Sequence, residues 1–213
     1  MLEANHSPDS PLIYFMSYRQ FIWGLSNGVV ALAISGAFWF GMAAWPTGLP
    51  IFIALVVLIA TCFAAIIAAS IRLRGKSQGF KLSELKLADE NLRKQTRKIV
   101  LGFRLVNCGQ CVLIWLSMAL CYYFRHPELV WPFIALIVSL HFVPLAWLFS
   151  VGTYYVTGIA GVGVSLAVIS GLGGANRLVF LGSGMGMVVW LSAVYLVWKA
   201  DDIARHTVAR ENP

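Results

Sequence analysis

The chain has 213 residues, of which 59% are hydrophobic and 12% charged, with a formal net charge of +7. A soluble domain carries about 25% charged residues, so a soluble helical protein is excluded, and the apolar residues fall in runs of about 20, the length that crosses a bilayer. In such a chain the positive excess reports which side the loops face and does not point to nucleic acid.

Residues 1–17 are polar, with prolines at 8 and 11, and read as an N-terminal cytoplasmic tail. They lack a basic start and contain Glu3 and Asp9, so they do not read as a secretory signal, and the first span is expected to stay in the protein. Span 1 is predicted over Tyr18–Trp45 and stopped by Pro46-Thr47-Gly48; span 2 follows over Leu49–Ile71. The link is so short that residues 18–71 must form an antiparallel hairpin.

Residues 72–98 form a basic cytoplasmic loop and helix, with nine Lys/Arg against Glu84, Asp89 and Glu90. Asp89–Arg93 and Glu90–Lys94 are acid-before-base pairs at i,i+4, which support a helix. Leu82, Leu85 and Leu92 are placed to rest on the bilayer boundary, and no Gly or Pro separates this helix from span 3. Four spans fill residues 99–198. Span 3 covers Ile99–Phe124, and Arg125–Glu128 turns the chain. Span 4 covers Leu129–Phe149, with Trp131 and Pro132 in an interfacial first turn. Span 5 covers Tyr154–Leu172, Gly171–Arg177 makes a turn, and span 6 covers Leu178–Trp198. Residues 199–213 are a charged cytoplasmic tail. The fold class is all-α, a polytopic membrane bundle of six transmembrane helices.

Six spans put both termini on one side. With the termini in the cytoplasm, 13 basic residues lie inside and only Arg125 and Arg177 outside, Arg104 falling within span 3. This bias follows the positive-inside rule and predicts an inner-membrane protein with both termini cytoplasmic. The basic segment is then placed to meet anionic lipid headgroups.

The spans contain no Asp or Glu. Paired-carboxylate catalysis has no candidates, which lowers the expectation of an enzyme without excluding a His-based mechanism, and no cofactor is expected. Ionisable groups at membrane depth are costly and usually functional, which singles out His141. At 1.5 Å per residue it lies about 18 Å down span 4, or about 12 Å from the inner face of a hydrocarbon core of about 30 Å. Pro144 cannot donate to the Leu140 carbonyl, so a kink and a free carbonyl are expected beside the imidazole. Climbing span 3, Arg104 lies about 7–8 Å in and Cys108 about 13–14 Å in, level with His141. Asn107 and Asn27 fall in the same half, and Tyr154 and Tyr155 re-enter it after the turn at Ser150–Thr153. His141, Pro144, Asn107, Arg104, Tyr154, Tyr155 and Asn27 are the candidate ligand-binding residues. Arg104 has a second reading, snorkelling to the inner interface.

Cys108-Gly-Gln-Cys111 puts two thiols on one helix face. With His141 they are the only candidates for a metal or redox site, although redox pairs normally sit at exposed helix starts and a metal would want further ligands. Small packing residues are the simpler reading. Gly182-Ser-Gly-Met-Gly186 lacks the strand that a nucleotide-binding turn needs and reads, with Gly24 and Gly28, as close helix packing. Such faces also suit a homo-oligomer.

The run His141-Phe-x-Pro144-Leu-Ala-x-Leu-Phe149, followed by Tyr154-Tyr-Val-Thr-Gly158, resembles an uncharacterised family of small bacterial six-span integral membrane proteins. The resemblance covers spans 3 to 5 and implies an architecture, with a basic cytoplasmic segment before span 3, and no activity. The family's middle helix carries an acidic residue and glycine near the place of Asn107-Cys108-Gly109, where this chain departs. Three functions follow as expectations: a small-solute carrier or binding protein with a polar pocket in the cytoplasmic half near His141; a membrane redox or metal protein using Cys108, Cys111 and His141; or a non-catalytic scaffold or assembly partner.

Overall fold

The computed structural model describes the backbone of residues 18–76, 90–149 and 151–211, with side chains described for 25–73, 97–149 and 151–202. The tail at 1–17, the leucines at 82, 85 and 92, the pairs Asp89–Arg93 and Glu90–Lys94, and Ser150 fall outside what is described. Six long helices cover the described residues: α1 (Tyr18–Ala44), α2 (Leu49–Lys76), α3 (Glu90–Tyr123), α4 (Val130–Phe149), α5 (Gly152–Ile169) and α6 (Arg177–Glu211), with short 3-10 turns at Pro127–Leu129 and Gly174–Asn176. No strand occurs among these residues. All six helices are long and apolar enough to cross a membrane. The protein is an all-α, multi-pass membrane bundle. Its span boundaries follow the sequence reading within a few residues, with two extensions. The second half of the basic segment is continuous with span 3 in α3, and α6 runs past Trp198 to Glu211.

The helices form a row in the order α3, α4, α5, α6, α1, α2, judged by which pairs pack most closely. The tightest pairing is α6 on α1, and its cause is residue size. A Cβ on Gly182 would run into the Trp39 carbonyl and the main chain of Ala43; one on Gly186 would meet the Phe40 ring; one on Gly36 would collide with the Trp190 indole. Glycine on one helix thus receives an aromatic ring or the bare backbone of the other, in the small-residue manner of membrane helices. Trp190 Nε1 donates to the Ala33 carbonyl at 3.1 Å, so the indole that fills the gap is also hydrogen-bonded. Along α6 the residues Leu181, Met185, Val189, Ala193, Leu196 and Ala200 are almost wholly buried, one continuous stripe at helical spacing.

Polar pairs stitch neighbouring helices. Ser26 of α1 and Ser70 of α2 stand 2.8 Å apart, oxygen to oxygen. Thr157 of α5 and Ser192 of α6 are 2.6 Å apart. Gly158 and Gly161 of α5 fit against Ser139 of α4. The row ends are different. Among the described side chains of α2 only Ile66, Ser70 and Leu73 are buried, and along residues 97–123 of α3 only Cys121 is.

Helix ends follow local rules. Past α5, Gly171 takes φ 104°, and Leu172 N–H returns to the Ala167 carbonyl at 3.0 Å. Past α3, the same device places Arg125 at φ 60°, with His126 N–H returning to Cys121 at 2.8 Å. Glycine adopts the left-handed region without penalty, and arginine does not.

Candidate functional site

Two depressions stand out among the described residues. The first, about 440 Å³, opens at the end of the bundle away from Lys76, Arg97 and Lys199; its wall includes Pro46, Glu128, Trp131, Asn176, Arg177 and Leu181. The second, about 370 Å³, is an apolar groove between α1 and α2 bounded by Ile34, Val56 and Phe63, suited to a lipid chain.

The first cavity is made by three chain reversals. Pro46 lies in the α1–α2 link, the 3-10 turn at Pro127–Leu129 leads into α4, and the left-handed glycines Gly173 and Gly174 deliver the chain to Arg177, the first residue of α6. The Nε of Arg177 is buried and has no hydrogen-bond partner. Glu128 lies within electrostatic reach of it but is bonded to His126, Nδ1 to Oε1 at 2.9 Å. The carboxylate nearest the guanidinium is therefore already engaged. Leu181 of the wall also belongs to a buried cluster with Trp39 and Met185, all three almost wholly buried.

The residues expected from sequence are spread over a different level. Gly102 fits under Leu148, and the Phe103 and Phe149 rings are 6.0 Å apart. That register, at 1.5 Å per residue, sets His141 beside residues 109–111, one to three residues from the expected Cys108 level. The ring, however, bonds to its own helix: Nδ1 donates to the Val138 carbonyl, three residues back, and not to the Leu140 carbonyl that Pro144 leaves without its helical donor. The imidazole also lies 4.5 Å from the Phe142 ring, and Phe142 lies 5.9 Å from Tyr154. Tyr154 is buried, its hydroxyl against Gly28 of α1, next to Asn27, which is half-buried and engaged. These contacts join His141, Tyr154 and the Asn27 region through aromatic packing, not through a cavity.

The others stand apart. Pro144 and Tyr155 are exposed on the outer surface of α4 and α5. Arg104, Cys108 and Cys111 are exposed on α3, with Asn107 half-buried between them. Cys108 falls on the side of α3 opposite Val106 and Cys121, away from α4. Among the described residues no three His, Cys, Asp or Glu side chains gather as metal ligands would.

Sequence reasoning missed Arg177 and Glu128 as site residues because both fall in links. The signal was present: Glu128 is the single acid in the links opposite the basic end, and prolines at 46, 127 and 132 punctuate the same level.

Residues 100–199 match the model of a family of unknown function, DUF7010. The matched stretch takes in the membrane part of α3 and the whole of α4 and α5, then α6 as far as Lys199. It includes every residue of the first cavity except Pro46. No curated protein and no solved structure matches the chain.

Proposed function

We propose that the protein binds a small anionic solute in the cavity at the end of the bundle opposite its basic segment, as a non-enzymatic protein of a bacterial inner membrane. The observation that carries this reading is the Arg177 Nε, buried in the cavity wall without an acceptor. A buried donor left unsatisfied is costly, and a ligand oxygen that drew the guanidinium toward the cavity would remove that cost. Guanidinium presents paired donors that suit carboxylate or phosphate. Trp131 offers an apolar surface beside it, so the ligand combines an acidic group with a small apolar body.

Orientation is part of the proposal. The distribution of basic residues supports both termini in the cytoplasm and the cavity on the outer side. The basic segment at 72–98 then meets anionic headgroups of the inner leaflet. The buried cluster of Trp39, Leu181 and Met185, which shares Leu181 with the cavity wall, favours binding over passage, since a carrier would have to open it. An inner-half site at His141, with Asn107, Arg104 and Tyr154, is the competing location.

A thermal-shift screen of purified protein against small carboxylates and phosphates tests both locations. Stabilisation lost in Arg177→Gln and kept in His141→Ala is expected. The reverse pattern moves the site to the inner half. Equal shifts in the wild type and both variants would overturn solute binding at either place.

A further inference from the structure

We infer that α3 is the pairing helix of a homodimer, with the flank carrying Asn107, Cys108 and Cys111 facing the same flank of a second copy. At about 100° per residue, these three residues and Arg104 share one side of α3. That side lies beyond the stripe through Gly102, Val106 and Cys121 that packs toward α4. Cys108 and Cys111 are exposed there. The Asn107 side chain makes no hydrogen bond among the described residues, at a depth where hydrocarbon offers none.

The other end of the row shows that this is not merely what a terminal helix looks like. The exposed side of α2 carries Ile51, Ile53, Val57 and Leu58, and its one exposed hydroxyl, Thr61, is satisfied by the Val57 carbonyl at 2.8 Å. That surface suits lipid as it stands. The α3 flank does not, and it lacks a partner that lipid can supply.

A second copy fits it by symmetry. Two copies related by a two-fold axis along the membrane normal bring identical residues together at one depth. A carboxamide is both donor and acceptor, so Asn107 is complementary to itself. The two cysteines are small enough for close approach. Arg104, one turn nearer the basic end, reaches headgroups instead of its copy.

Full-length variants that keep one cysteine each, oxidised in native membranes, test the arrangement. Cys108-only and Cys111-only protein should give a reducible dimer and Cys62-only protein should not. Asn107→Leu should weaken dimerisation in liposomes by about three- to twentyfold. Equal cross-linking from all three cysteines, or a dimer fraction unchanged by Asn107→Leu, overturns the proposal. A cross-linked species of α3 with a different protein overturns it as well.

Discussion

Gly182 of α6 rests against the main-chain carbonyl of Trp39 in α1, with no room between them for a methyl group. Backbone cannot give way as a flexible side chain can, so the helices must separate if a Cβ is added. Overpacking of this kind costs about 1–3 kcal/mol. Gly182→Ala should therefore lower the unfolding midpoint in detergent. Gly163→Ala is the internal control: it is exposed on α5 with nothing within 4 Å of the new methyl, and it should cost nothing.

The paired hydroxyls of Ser26 and Ser70 make a second measurable link, since each also bonds to the other's main-chain carbonyl, at 3.1 and 3.0 Å. Removing either hydroxyl leaves acceptors of the α1–α2 interface poorer by one donor. Each serine-to-alanine change should destabilise by about 1 kcal/mol. The double-mutant cycle should give a coupling of about 0.6–1.7 kcal/mol. A coupling of zero would mean that the pair opens in the membrane.

Arg125 holds a left-handed conformation, φ 60°, in the position where Gly171 performs the same turn after α5. For a residue with a Cβ this costs about 1–2 kcal/mol, partly offset because glycine is freer in the unfolded chain. Arg125→Gly should raise stability by about 0.5–1 kcal/mol, read as a higher melting temperature. Arg125→Val should lower it, because a β-branched side chain tolerates this region least.

The cysteines of α3 separate the buried from the exposed side of that helix within one copy. Cys108 and Cys111 are exposed and Cys121 is buried. A maleimide should label the first two in monomeric protein in detergent and leave Cys121 unmodified until the protein is denatured. Rapid labelling of Cys121 would show that α3 does not keep its place on α4.

The fold was legible because its signals are local. Length, apolar runs, prolines and glycines mark the six helices, and the missing breaker before Ile99 marks the long α3. The site was legible only in part. Helical rise placed His141 at nearly the right level against Cys108, since depth depends on counting residues along a span. Which way each side chain faces depends on neighbour order, and no periodicity encodes that. So Tyr154 turned inward and Tyr155 outward, while Cys108 came to face away from His141. The Pro144 argument removes a helical donor from the Leu140 carbonyl but does not name the imidazole's partner, because the rotamer of His141 brings it to Val138. The cavity escaped because it is assembled from three turns distant in sequence, each unremarkable alone.

The orientation behind the proposed ligand site can be tested independently of any ligand. If the basic segment holds 72–98 in the cytoplasm, the turn at Gly173–Asn176 and the link at Thr47–Gly48 face outward together, and the end of α6 faces inward. A bulky thiol reagent that cannot cross the membrane should label an introduced cysteine at Ala175 or Thr47 in intact cells. It should not label one at Asp202 until the membrane is opened. In that orientation the outer side would hold only Arg125 and Arg177 of the 16 basic residues, so Arg177→Gln should leave this labelling pattern unchanged, because the inward bias would reside in the other loops. Labelling at Asp202 in sealed cells would invert the bundle, and the Arg177 cavity would then face the cytoplasm.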